Sequence, residues 1–130
     1  MKVIFTNGCF DIVHRGHLEL LSYCKSIGDK LIVGINSDES VKRLKGSNRP
    51  INTQEDRKFL LESLVYVDQV CIFNEDTPYN LINQIKPDII VKGSDYSPDN
   101  VVGNDICKVL IFEKIDDYST TKTIQSISNR

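Results

Sequence analysis

Five short apolar runs, separated by stretches of helical periodicity, constrain this chain more than any other feature. The runs are Val3 to Phe5, Leu31 to Ile35, Val67 to Phe73, Asp88 to Val91 and Cys107 to Phe112. They lack the alternation of a half-exposed strand, so each reads as buried on both faces. Such strands, separated by helices, predict a Rossmann-like three-layer α/β/α fold with a five-stranded parallel sheet. Leu18, Leu20, Leu21 and Cys24 form a helical stripe that ends at Gly28, read as a C-terminal cap. Ser37 to Ser40 can cap a short helix, and residues 42–50 then read as a basic loop. Thr53 is the expected N-cap of a helix with Phe59, Leu60, Leu64 and Val65 on its buried face. Pro78 takes the first position of a helix carrying Leu81, Ile82 and Ile85. Ser119-Thr120-Thr121 opens a last helix holding Ile124 and Ile127. The 130 residues are expected to form one domain, 1–130.

Open parallel sheets bind ligands beyond the carboxyl ends of their strands. The polar segments 7–17, 36–49, 92–96 and 116–121 follow the first, second, fourth and fifth strands, so four loops are expected to converge on one crevice. The first of these loops lies between a strand and a helix. Such a corner aims free backbone N–H groups and the positive end of a helix dipole at one spot. His14 and His17 stand there with only Arg15 and Gly16 between them. Imidazole donors beside a phosphate suit the charge that builds during its displacement. The further ligands that a tetrahedral zinc site needs are not evident, so no metal-binding residue is assigned. Gly16 permits close backbone approach to a phosphate. Lys42, Arg43, Lys45 and Arg49 form a basic group, in which Lys45, beside Gly46, is a candidate phosphate clamp. Lys42 and Arg43 read equally well as solvated charges. The Ser119-Thr120-Thr121 helix start can cap its helix and bind phosphate together.

Composition narrows the alternatives. A net charge of −2 gives no support to a nucleic-acid binder. No apolar run approaches the roughly 18–20 residues of a membrane span. The first residues turn polar too early for a secretory signal, so a cytoplasmic protein is expected. Cys24, Cys71 and Cys107 lie in apolar patterns and read as small buried hydrophobes. Cys9, beside the histidines, reads as a small side chain in a crowded loop or as a nucleophile.

At these residues the chain resembles the cytidylyltransferase-like family of nucleotidyltransferases. The resemblance rests on His14-x-Gly16-His17 after the first strand and on Ser119-Thr120-Thr121 near the far end. Within the family it is most similar to the adenylyltransferase domains of ADP-heptose synthases, through Phe5 to Asp11, Asn36 to Gly46, Arg49 to Asn52, Glu75 to Pro78 and Val91 to Tyr96. It departs from the cytidylyltransferases of glycerol phosphate, whose Arg-Thr-x-Gly-Ile run is here Lys114 to Tyr118.

The resemblance implies transfer of AMP from ATP to a sugar 1-phosphate, D-glycero-β-D-manno-heptose 1-phosphate, releasing pyrophosphate, with Mg²⁺ accompanying the triphosphate. The alternative is a CTP-dependent transfer to glycerol 3-phosphate or another polyol phosphate. Catalytic roles are implied for His14, His17 and Lys45. Nucleotide contacts are implied for Thr6, Asn7, Phe10, Gly16, Lys92, Gly93, Asp95, Ser119, Thr120 and Thr121. Acceptor contacts are implied for Asp11, Asp38 and Arg57, although Arg57 reads equally as a partner of Asp56. A homodimer and a separate sugar kinase upstream complete what the resemblance implies.

Overall fold

The computed structural model describes residues 1–113. Strands β1 (Val3–Gly8), β2 (Lys30–Asn36), β3 (Gln69–Phe73), β4 (Ile89–Gly93) and β5 (Lys108–Phe112) form one sheet in the order β3-β2-β1-β4-β5. Every pairing is parallel. The helices are α1 (Arg15–Ser26), α2 (Asp38–Lys45), α3 (Gln54–Glu62) and α4 (Tyr79–Ile85), with a 3-10 turn over Pro98–Asn100. Successive strand residues point to opposite faces. Ile4, Leu31, Val33, Ile89 and Val91 therefore join a core completed by Leu21 and Cys24 of α1 and Leu61 of α3. Phe5, Ile32 and Ile90 enter a second core with Ile82 of α4 and with Val101. The inner strands β1, β2 and β4 are buried on both faces as predicted and give the α/β arrangement, whereas the edge strands β3 and β5 are not, with Ile72 exposed and every residue of β5 at least partly exposed. Among the described residues no helix is long and apolar enough to cross a membrane.

Several local expectations need correction. Lys42, Arg43, Leu44 and Lys45 belong to α2 rather than to a loop. The Ser37 hydroxyl caps that helix, acids occupy its first turn and bases its last, so its ends match the dipole. On α3 the inward row is Arg57 and Leu61, one helical turn apart. Phe59 is 74% exposed and Leu60 is exposed too, because hydrophobicity alone does not fix the helix phase; Leu64 and Val65 lie beyond the helix, Leu64 packed against the core and Val65 exposed. Helix α1 ends at Ser26 and its C-cap is Ile27, not Gly28. Gly28 is needed instead because a Cβ there would lie 2.4 Å from Ile4 Cγ1. Pro78 is the N-cap of α4 rather than its first residue. Cys24 is buried as expected, but Cys71 and Cys107 are only half-buried. The expected final helix lies outside the described residues.

The direction of strand succession reverses between β1 and β4, the usual place for a ligand crevice. Six residue pairs join β1 to β2, but only Ile4↔Ile89 and Phe5↔Ile90 join β1 to β4. Beyond Phe5 side chains bridge the two strands. The Thr6 hydroxyl donates to the Val91 carbonyl at 2.8 Å, and the Lys92 ammonium donates to the Asn7 carbonyl at 2.9 Å.

Candidate active site

A cavity of about 690 Å³ opens where β1 and β4 part. Loops after β1, β2, β3 and β4 all reach it. The third of these, Asp76-Thr77-Pro78, was not expected at the crevice. Its signal was present in sequence, as a polar segment after a strand, but Thr77-Pro78 also reads as a plain helix start.

The β1 loop turns sharply at Phe10, which has a φ of 49°. A bulky residue in that region carries a backbone cost of about 1–2 kcal/mol. Burial of its ring offsets the cost, since Phe10 is almost fully enclosed and packs 4.9 Å from the His17 ring. Helix α1 then begins with its two histidines capping it. His14 Nδ1 accepts from the Gly16 N–H at 3.1 Å, and His17 Nδ1 accepts from the His14 N–H at 3.2 Å. Both rings use Nδ1 as acceptor, which puts the neutral ring's proton on Nε2. The rings stack with centroids 3.9 Å apart. The two stacked rings are thereby set side by side at a helix N-terminus on the cavity wall, with His14 Nε2 itself buried.

Three cationic side chains join them on that wall, Lys45, Arg49 and Lys92. Lys45 ends α2, where Gly46 turns the chain with a φ of 108°. Lys92 is almost fully buried, and its ammonium lies 4.5 Å from the Tyr96 ring centroid. Burial pushes its pKa down to about 8, against the opposing pull of Asp95 and Cys9. Burial pushes the Cys9 thiol up, in spite of Lys45, Arg57 and Arg49 nearby. A thiol held protonated is a poor nucleophile, so Cys9 fits the smaller role of loop packing.

The sequence-derived residues divide into two groups. Asn7, Phe10, His14, Gly16, His17, Lys45, Lys92, Gly93 and Asp95 line the cavity. Thr6, Asp11, Asp38 and Arg57 do not line it, and form the frame behind. Asp11 is sealed, accepting from the Ile51 and Asn52 N–H groups at 2.9 and 2.8 Å and pairing with Arg49 at 3.1 Å. Its carboxylate fastens the 49–52 loop and has no face toward an acceptor hydroxyl. Asp38 takes the Gln54 N–H and the Arg57 guanidinium on one oxygen.

Arg57, only 2% exposed, also donates to the carbonyls of Cys9, Asn36 and Asn52. It ties the ends of β1 and β2 to the start of α3, and its acid partner is Asp38 rather than Asp56. Ser119, Thr120 and Thr121 lie outside the described residues. Leu20, Leu44, Tyr96, Val101 and Val102 also line the cavity, although apolar side chains gave no functional signal in sequence.

Among the described residues no group of three ligating side chains could hold a metal. A cation that arrives on phosphate oxygens and keeps most of its water needs no such group.

Known proteins share this chain's pattern. The sequence model described as cytidylyltransferase-like matches residues 5–126. The bifunctional protein HldE of Campylobacter concisus is 55% identical over 129 residues, which is 98% of this chain and 27% of that protein. Its counterpart in Nitratiruptor sp. is 57% identical over 125 residues, covering 95% of this chain and 27% of that protein. The chain thus spans about a quarter of the length of these relatives. A lipopolysaccharide core biosynthesis protein from Thermoplasma volcanium superposes with a TM-score of 0.76 at 30% identity, over 89% of this chain and 99% of that one. A bifunctional NMN adenylyltransferase/ADP ribose pyrophosphatase from Francisella tularensis, complexed with AMP and a manganese ion, shares the fold with a TM-score of 0.60 at 16% identity, over 98% of this chain and 42% of that one.

Proposed function

This chain belongs to the cytidylyltransferase-like family of nucleotidyltransferases, and from that premise we propose that it transfers AMP from ATP to a sugar 1-phosphate, D-glycero-β-D-manno-heptose 1-phosphate. The observation that carries the proposal is the stacked pair of rings, His14 and His17, on a cation-lined cavity wall at a helix N-terminus. The high identity to HldE proteins supports it, and gives no support to the alternative with CTP and a polyol phosphate.

In this reading an acceptor phosphate oxygen attacks the α-phosphorus in line. The new P–O bond forms as the bond to the β-phosphate bridging oxygen breaks, and pyrophosphate leaves. A phosphate monoester has its second pKa near about 6, so the nucleophile is already largely dianionic at neutral pH and needs no general base. The chain's work is positioning and charge stabilisation. The Nε2–H groups of His14 and His17 donate to the α-phosphate as charge grows there. Lys45 and Arg49 bring the two phosphates together against their mutual repulsion. Lys92, Gly93 and Asp95 meet the nucleotide from the β4 side, and Ser119, Thr120 and Thr121 are assigned its outer phosphates. Mg²⁺ accompanying the triphosphate would supply further charge neutralisation. A homodimer and a kinase activity that makes the sugar phosphate belong to the same proposal.

A screen of four nucleoside triphosphates against sugar and polyol phosphates tests it, read as pyrophosphate release. ATP with a heptose 1-phosphate is expected to be the fastest pair. Binding of ATP without pyrophosphate release for any acceptor would make the protein a nucleotide sensor instead.

A further inference from the structure

The cavity has two unlike walls, and the β3 side answers a different ligand from the β4 side. On the β4 side stand Tyr96, Val101 and Val102, apolar or aromatic surface of the kind that covers a base. On the β3 side stand Asp76 and Thr77, and the cations Lys45 and Arg49, from the segment after β2, line the same cavity. Strand order requires this separation, because β3 and β4 lie on opposite sides of the β2-β1 pair. In-line displacement requires it too, because the incoming and departing groups flank the phosphorus.

Resting on the adenylyltransferase reading, we infer that Asp76 and Thr77 form the acceptor's hydroxyl-binding subsite, taking a phosphorylated polyhydroxy sugar whose phosphate faces Lys45. Among the described residues Asp76 and Asp95 are the carboxylates on the cavity wall, and Asp95 belongs to the β4 side. Asp11 and Asp38 are engaged in the frame. The loop bearing Asp76 is a fixed wall. The Ser37 hydroxyl donates to Asn74 Oδ1 at 2.7 Å, and the Ser40 hydroxyl donates to the Glu75 carbonyl at 2.8 Å. Arg43 donates to the Asn74 carbonyl and, through Nε, to Asp76 Oδ1 at 2.9 Å. That bond orients the carboxylate, whose side chain is 63% exposed and has Oδ2 left to accept sugar hydroxyls. A carboxylate accepting hydroxyls and a cation taking the phosphate are complementary to a sugar phosphate at each end.

The test compares Asp76→Asn and Thr77→Val with wild type, and uses Arg43→Ala to break the same ion pair without altering the carboxylate. Asp76→Asn is expected to raise the acceptor KM by roughly 10- to 100-fold, the usual loss for a hydrogen bond to a charged group, while the KM for ATP stays within about twofold. The penalty should vanish for a deoxy-sugar phosphate lacking the hydroxyl that Asp76 holds. Arg43→Ala should leave most acceptor affinity in place. Calorimetric titration with the same sugar phosphate reads the subsite even without turnover. An active wild type whose Asp76→Asn and Thr77→Val variants keep its acceptor KM overturns the subsite alone. An inactive wild type overturns the adenylyltransferase reading first.

Discussion

His14 has two ring nitrogens, and the fold uses them differently. Nδ1 caps α1, while Nε2, itself buried, is the donor that the proposed function assigns to the nucleotide. His14→Asn tests this division, because asparagine is among the best N-caps but cannot place a donor where Nε2–H stood. Turnover is expected to fall by on the order of 100-fold, the cost of one preorganised donor, with the urea midpoint near wild type. His14→Ala should lose the same turnover and a further ~1 kcal/mol of stability for the missing cap. Lys92 makes a second prediction, in pH. Its folded pKa lies at about 8 against an ordinary value of 10.5. Between those values the unfolded chain holds a proton that the folded chain has released, so Lys92's contribution to stability rises with pH across that window and is least favourable below it. The stability difference between wild type and Lys92→Met, measured by urea melts from pH 7 to pH 10, should shift in favour of wild type as pH rises. A difference independent of pH would count against the buried-ammonium assignment.

Elements meet at Arg57, whose guanidinium joins β1, β2 and α3 through carbonyls of Cys9, Asn36 and Asn52. Arg57→Leu is expected to cost about 3–5 kcal/mol, since it strands several buried acceptors, and the urea midpoint reads the loss. Arg57→Lys should recover little of it, because one ammonium cannot span the fork. This role was half-legible in the sequence. A basic residue among acids on a helix start reads as a surface charge or a phosphate ligand. The depth of Arg57 follows from the phase of α3, which the exposed Phe59 and Leu60 obscured. Asp11 misled for a related reason. The family resemblance implied an acceptor contact for Asp11, while its partners here are Arg49 and the backbone N–H groups of residues 51 and 52, some forty positions away. The strands and the His14-Gly16-His17 corner were legible because their signals are local in the chain.

Across the whole molecule, the cavity is completed by segments distant in sequence, and that is why its β3-side wall went unseen. Asp76 acquires meaning from Ser37, Ser40 and Arg43, which hold its loop against α2. A ligand seated between β1 and β4 would bridge the two parts of the sheet beyond Phe5, where the strands part and the Thr6 and Lys92 side chains span the gap. ATP with Mg²⁺ at a hundredfold excess over Kd should therefore stabilise the fold by about 2.7 kcal/mol, seen as a higher Tm. Added salt should erode the gain, because the cavity's cations answer a polyanion. The doubled duty of the opening helix has a consequence for descent. Helix geometry alone asks for no imidazole at position 14, where any short polar residue would serve. A descendant carrying asparagine there would inherit the architecture and stay silent at the bench, a well-folded impostor among working enzymes.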